Sequence, residues 1–582
     1  MTDLSVERDA VTDRVGVVPA SSSRPGRSAR WVAAVLAVVV LLSGAVVAAA
    51  LGLAQRDGVP QRNVVVDGVP ITMYVPGTVA AGGTVDLTPP APLGQRPPGL
   101  VLAHGHSANR ATMSWLAGQL AAAGFVVATF DFRGHGGHRS PQETHGFEGR
   151  RADLRTVFEW LSRQPYVDGD RVAIAGHSMG AAAVVDFATH DSRPAATVAL
   201  GGSVAIVEGD VAPRNLLFLV ADGDPDAVRD EAVATARTMY GGEIHFGEQY
   251  GTYWDGSAVG LREVAGANHM SMLYAAETAK LMTDWMSQAV GPGTDAVTAT
   301  DRRIGWALAY LVFLVFGVAL LGLAAGVPVR GAVFAAPEPA RRSASGSASE
   351  VPAAITSGPR SAGWRRLLLL TAALLVPIPW LTWGDAGVLV GLEAGGALVV
   401  LLAAAGAVSW VLMSLSPVRR WAGLDGWSAV PSLPGSSGDS RALVAGLLAA
   451  AGLVVLLAPL GPVGHGFDTT PTRLLLSLLA MLLLLPYFAA VELLLRRGSP
   501  GRAIGFPLAA RLTLLVVAFA AVVAGLLPGM IGLYLMVLAP FALLMEICAV
   551  ALYRMTGDPR ATAVFQAAAV GWLLGKLSPV LW

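Results

Sequence analysis

From Ile304 to the C-terminus the chain is a succession of apolar runs, near 304–327, 367–384, 386–415, 442–461, 474–495, 508–527, 531–552 and 562–581. A further run at 31–54, "WVAAVLAVVVLLSGAVVAAALGLA", contains no charge. Each is close to the roughly 20 residues a helix needs to cross the hydrocarbon of a bilayer, so the pattern predicts nine transmembrane helices. Composition agrees, with 54% hydrophobic and only 14% charged residues, against about 25% charged in soluble domains. The run at 31–54 is much longer than the roughly 7–15-residue core of a cleaved signal peptide and reads as a retained anchor. The polar stretch 1–30 reads as a disordered cytoplasmic tail, and the Pro/Ser/Ala/Arg-rich stretch 328–366 as a disordered linker. Residues 367–582 then form a transmembrane helical bundle.

Arginine placement orients these spans. Arg24, Arg27 and Arg30, the arginines of 328–366, Arg419 and Arg420, Arg496, Arg497 and Arg502, and Arg554 and Arg560 all fall on one side of a nine-span chain. By the positive-inside rule that side is cytoplasmic, which puts the N-terminus inside and residues 60–290 outside the cytoplasm of a multi-pass cell-membrane protein. With 41 basic and 41 acidic residues the net charge is zero and gives no reason to expect nucleic acid. The single cysteine, Cys548, rules out a disulfide framework. Within the spans the carboxylates Glu393, Glu492 and Glu546 are the chemical leads, because charge in lipid is costly. Glu546 lies mid-span, while Glu492 is close enough to Arg496 and Arg497 to reach the interface.

Residues 60–290 have a different texture. "VVVDGVPITMYV" reads as two strands around an Asp-Gly turn. Short apolar strands ("GLVLAHG", "FVVATFD", "RVAIAG", "NLLFLVADGD") alternate with helical patterns ("ATMSWLAGQLAAAG", "RRADLRTVFEWLSRQ"). That alternation predicts an α/β fold, a doubly wound, mostly parallel sheet covered by helices on both faces.

In this domain "GHSMG", Gly176 to Gly180, matches G-x-S-x-G, between the apolar strand "VAIA" and the apolar helix "AAAVVDFA". A sharp strand-to-helix turn with small flanking residues would hold Ser178 in a strained conformation at the carboxyl end of the sheet, above a helix N-terminus that favours negative charge. A glycine-rich turn whose serine caps the helix is the alternative. Nucleophilic catalysis by serine also needs a base and an acid that orients it. "LLFLVADGDPDAV" supplies acids at a strand end and "VAGANHMSML" supplies His269, giving the chain order serine, acid, histidine.

This order and these motifs resemble the α/β-hydrolase superfamily, in particular its dienelactone-hydrolase and serine-esterase branches, over residues 60–290. The resemblance implies Ser178 as nucleophile and His269, in the G-x-x-H pattern, as base. In "VADGDPD" it selects Asp224 as the orienting acid, with Asp222 and Asp226 as close rivals. It implies an oxyanion hole of two backbone amides, Met179 directly after the nucleophile and His106 in "LAHGHSAN", where Gly105 allows close approach. "FDFRGHGGH", Phe130 to His138, matches a structural loop behind the nucleophile. Forty-six positions separate Ser178 from Asp224, too few for a cap domain, so the site should be open. The aromatic- and glycine-rich segment 241–257 could be a substrate wall or an ordinary surface loop. Histidines 104, 106, 135, 138, 145 and 177 are concentrated as metal ligands can be. They form no H-E-x-x-H pairing, so neither metal nor cofactor is expected.

The resulting expectation is a membrane-bound serine hydrolase acting on a small-molecule or lipid ester through an acyl-enzyme, with membrane lipids around it. Peptide cleavage uses the same triad. The rivals are an acyltransferase to lipid or envelope acceptors, and a transporter or lipid-handling membrane protein with a hydrolase-like regulatory domain.

Overall fold

The computed structural model describes residues 59–76, 96–143, 146–202, 211–291, 360–381, 387–424, 437–457, 469–496, 500–527 and 530–581. The expected tail 1–30, the anchor 31–54, the helix 304–327, most of the linker 328–366 and His145 lie outside them.

Among the described residues nine strands form one sheet. They are β1 (Gln61–Val66), β2 (Val69–Tyr74), β3 (Pro98–Ala103), β4 (Val126–Phe130), β5 (Asp168–His177), β6 (Thr197–Leu200), β7 (Leu216–Ala221), β8 (Gln249–Tyr250) and β9 (Val259–Val264). Their order is β1-β2-β4-β3-β5-β6-β7-β9-β8. From β4 through β9 neighbouring strands are parallel, and the antiparallel pairs lie at the edges. Asp67 and Gly68 make the turn from β1 to β2, both with positive φ, as a two-residue hairpin loop requires.

Side chains alternate across each strand, so one apolar strand feeds two cores. Leu100 and Leu102 pack under α1 (Ser114–Ala122), together with the helix that ends the domain. Val101 and Ala103 pack with α2 (Glu148–Ser162) and α3 (Met179–His190) on the other face. A third cluster joins β7 to α4 (Asp226–Tyr240), and α5 (Ala276–Val290) closes the domain. Each fully buried Leu, Val or Phe stabilises this arrangement by about 1.5–3 kcal/mol. The central strands are buried on both faces, which is why they read as continuous apolar runs.

The C-terminal half is helical. Its long helices are α6 (Arg360–Leu375), α7 (Glu393–Ser414), α8 (Ser437–Leu457), α9 (Pro471–Leu495), α10 (Pro500–Val523), α11 (Met530–Thr556) and α12 (Pro559–Leu577). Among the described residues four helices are long and apolar enough to cross a membrane, Glu393–Ser414, Pro471–Leu495, Ala503–Val523 and Val537–Thr556. Seven spans were expected over this region. The run at 367–384 breaks into α6 and a single turn, Ile378–Leu381, at the prolines 377 and 379, which cannot donate to the helical ladder. The run at 562–581 is α12, which packs against α8, α9 and α11 inside the bundle. Its small residues allow that approach, since a Cβ on Gly571 would sit 2.7 Å from the Met481 backbone nitrogen.

The bundle has two distinct ends. At one, Arg366 donates to the carbonyls of Ala422, Gly423 and Leu494, close to Arg419, Arg420 and Arg496. At the other, Glu393, Arg473, Tyr534 and residues 578–581 meet the α/β domain. The α/β domain therefore sits at the end opposite the arginine-rich loops. Glu492, expected near the interface, is fully buried. It accepts from Arg496 at 2.7 and 2.9 Å, Arg511 at 3.1 Å, and Thr562 and Gln566 at 2.8 Å each. Glu546 receives Arg496 at 2.6 and 3.0 Å and also pairs with Arg511. Two carboxylates and two guanidiniums thus neutralise each other inside the bundle, the arrangement that makes buried charge tolerable.

Candidate active site

The carboxyl ends of β5, β7 and β9 each deliver one side chain to the same rim. Ser178 follows β5 with φ 55° and ψ −117°, a left-handed conformation that costs a non-glycine residue of order 1–3 kcal/mol. Packing enforces it. A Cβ on Gly180 would lie 2.6 Å from the His104 carbonyl oxygen, so the start of α3 presses against the end of β3 and admits no larger residue. Among the described residues no side-chain capping bond is formed at the start of α3, so Ser178 does not act as the helix cap.

His269, in the loop after β9, places Nε2 3.1 Å from Ser178 Oγ. Its Nδ1 lies 2.7 Å from Asp224 Oδ1 in the loop after β7. The other Asp224 oxygen accepts the Ala221 N–H at 2.7 Å, and the carboxylate is fully buried. Of the two rival acids, Asp222 accepts the Gly266 N–H at 2.8 Å, and Asp226 lies in the first turn of α4. A hydroxyl bonded to an imidazole that is bonded to a buried carboxylate can pass the hydroxyl proton to the ring and hold the resulting positive charge.

Met179 opens α3, so its N–H has no intrahelical carbonyl partner. The facing loop makes a turn from Gly105 to Ala108, closed by the Ala108 N–H on the Gly105 carbonyl at 3.2 Å. A Cβ on Gly105 would be 3.2 Å from the Ser178 Cβ, which brings His106 alongside the serine.

Of the histidines of this rim, His104 is bonded at both ring nitrogens. His104 Nδ1 donates to the Gly105 carbonyl at 2.7 Å and Nε2 accepts from the Phe132 N–H at 3.0 Å, which fixes a neutral ring. Burial pulls its pKa down to about 4, and that of His106 likewise to about 4. His135, with ring centroids 5.1 and 5.7 Å from theirs and edge-on to His106, is held well below the ordinary histidine value, again chiefly by burial. His138 Nδ1 accepts the Ser140 N–H at 3.0 Å. Among the described residues no group of three or more His, Cys, Asp or Glu side chains is arranged to hold a metal.

Sequence reasoning missed the job of His177. Its Nε2–H donates to the His269 carbonyl at 2.8 Å, and the two rings pack at a tilt with centroids 4.8 Å apart. Burial, then the neighbouring His269, lowers its pKa to about 3, so it stays neutral. The x of G-x-S-x-G carries no signal of such a contact, which depends on a loop 92 residues away. In "FDFRGHGGH" the Asp131 carboxylate accepts the Arg110 and Gly137 N–H groups at 2.8 Å each and pairs with the Arg110 guanidinium, tying the loop to the sheet. The segment 241–257 is not a wall of this site. It leads into the amino end of β9 through the β8–β9 pairing, at the sheet edge away from His269, and Trp254 at its tip is 94% exposed.

Comparisons with known proteins find similarities over parts of the chain. Residues 96–223 match the family model described as serine aminopeptidase, S33. An uncharacterized protein of Mycobacterium tuberculosis is 38% identical over 104 residues, 18% of this chain and 35% of the relative. An uncharacterized 31.7 kDa protein from the traX-finO intergenic region of Escherichia coli is 31% identical over 121 residues, 20% of this chain and 39% of the relative. The chain thus spans just over a third of the curated relatives it matches. Similar solved structures include a membrane phospholipase A described as a bacterial virulence factor, with 14% identity and TM-score 0.30, covering 44% of this chain and 96% of that one. A hypothetical protein from Pseudomonas aeruginosa has 12% identity and TM-score 0.30, covering 40% and 94%. The match to the S33 model over residues 96–223 and the parallel-rich strand order give the N-terminal domain an α/β-hydrolase fold, and a half containing four long apolar helices follows it.

Proposed function

We propose that the chain is a membrane-bound serine hydrolase that cleaves ester-like bonds, its hydrolase domain on the extracytoplasmic side. The observation that carries this reading is the relay Ser178 Oγ–His269 Nε2 at 3.1 Å and His269 Nδ1–Asp224 Oδ1 at 2.7 Å, with the serine in a strained turn. His269 Nε2 takes the Ser178 proton as Oγ adds to the carbonyl carbon. The amide N–H groups of Met179 and His106 hold the oxyanion, and Asp224 stabilises the imidazolium. His269 then gives that proton to the departing alcohol, leaving an acyl-Ser178. A water enters, loses a proton to His269 and adds to the acyl carbon, and His269 returns that proton to Ser178 Oγ as the acid leaves. No step needs a cofactor.

The bundle geometry supports the orientation, because the arginine-rich ends lie opposite the hydrolase domain. An amide substrate is the second reading, favoured by the aminopeptidase description of the matched family.

The test is labelling of intact cells with a membrane-impermeant fluorophosphonate probe, with Ser178→Ala as control. A labelled wild-type band that vanishes in Ser178→Ala supports both reactivity and sidedness. Labelling only after permeabilisation overturns the orientation, and equal labelling of Ser178→Ala overturns the site.

A further inference from the structure

The turn that carries His106 does not end within the hydrolase domain. Ser107 has φ 58°, one of only four non-glycine positive values among the described residues, and Ser178 is another. It occupies the third position of the Gly105–Ala108 turn, where φ is positive and glycine is the usual residue. Its hydroxyl lies 2.9 Å from the Tyr534 hydroxyl of α11, which also reaches the Leu577 carbonyl at 3.4 Å. Tyr534 is buried, so the partner of a strained turn beside the serine is fixed inside the helical bundle.

Neighbouring contacts lock the same side of the site to the bundle. Arg473, buried on α9, donates to the carbonyls of Gly134 and Gly136 and to those of Gly575 and Ser578. Its five-donor fork is thereby spread across hydrolase loop and helix end. Val580 donates to the Gly134 carbonyl at 2.8 Å and accepts the Gln142 N–H at 2.7 Å. Glu393 receives Gln142 Nε2 at 3.0 Å and lies 3.2 Å from His106 Nε2. His135, in the loop so held, packs against both rings, tilted to His104 and edge-on to His106. Three membrane-bundle helices and the tail after a fourth therefore converge on the two loops flanking Ser178.

We propose that Tyr534 is a positioning residue for the hydrolase reaction: through Ser107 it holds the turn that presents the His106 amide to the reacting oxygen. The bundle is then part of the working site rather than an anchor alone. This rests on the functional reading above.

The experiment measures p-nitrophenyl butyrate hydrolysis and fluorophosphonate labelling rates by the full-length protein in membranes, for wild type, Tyr534→Phe, Ser107→Ala, the double variant and Ser178→Ala. Loosening a donor is weaker than deleting one, which costs about 10²–10³-fold. Each single variant is expected to lose about tenfold in kcat and in labelling rate, with KM and melting temperature near wild type. The double variant should lose no more than either single, because both remove the same bond. Wild-type kcat in Tyr534→Phe, or losses that multiply in the double variant, overturns the inference while leaving the site reading intact. Full activity in Ser178→Ala overturns both. Should Tyr534→Phe fail to fold, Ser107→Ala decides alone by the same criterion of kcat against KM.

Discussion

Two buried polar clusters organise this molecule, one in each half, and they are built to opposite ends. In the bundle, Glu492, Arg496, Arg511 and Glu546 bond to one another and to Thr562 and Gln566. Charge is balanced and the cluster is enclosed. In the hydrolase domain, Asp224 is as deeply buried, but its relay runs outward through His269 to a half-buried Ser178. A closed cluster stabilises and specifies packing, whereas an open relay stores strain and leaves one reactive atom accessible. Burial is common to the two clusters, and the direction in which their hydrogen bonds terminate is what differs.

That contrast can be broken experimentally. The largest expected effect is on the open relay. Asp224→Asn should lower kcat about 10⁴-fold through loss of the orienting carboxylate, while Asp222→Asn leaves it near wild type. Comparable losses in steady-state hydrolysis by both variants would move the orienting role away from Asp224. Next comes the closed cluster. Glu492→Ala leaves two buried guanidiniums sharing the one carboxylate of Glu546 and should destabilise the chain by about 3–5 kcal/mol, read as a lower melting temperature in detergent. The labelling rate per folded molecule should stay unchanged, and a selective loss of labelling would mean the bundle cluster serves the reaction.

The third effect concerns pH. His104 and His106 titrate near 4 and His177 near 3 when folded, against about 6.5 unfolded. Between about 6.5 and 4 the unfolded chain binds protons that the folded one refuses, so stability falls as pH falls through that window and is flat above it. Melting temperatures across pH 4–8 that stay level would show these rings to be solvated. The smallest effect is at His177. Removing its bond to the His269 carbonyl by His177→Ala forfeits about 1 kcal/mol, and kcat should drop by up to about tenfold. A change in melting temperature alone would reduce His177 to packing.

Much of the fold is legible along the chain, because its signals are local. Strands buried on both faces are nearly all apolar, as β3, β4, β7 and the Val172–Gly176 part of β5 are. The turn at Ser178 announces itself through Gly176 and Gly180, since only small residues fit where α3 meets β3. How the apolar runs pack was less legible. Length and hydropathy do not show that α12 is enclosed by its neighbours, nor that prolines 377 and 379 interrupt a run.

By itself the sequence determined an α/β domain followed by apolar helices, and a serine at a strand-to-helix turn. Periodicity and glycine sterics act over a few residues and need no distant partner. Tertiary structure alone decided which of three neighbouring acids meets His269, that His177 props the His269 loop, and that Tyr534 and Arg473 reach the loops beside Ser178. Those contacts join residues 45 to 427 positions apart. Hydrogen bonds at about 3 Å between such residues exist only once the sheet and the bundle have packed, so no local pattern encodes them.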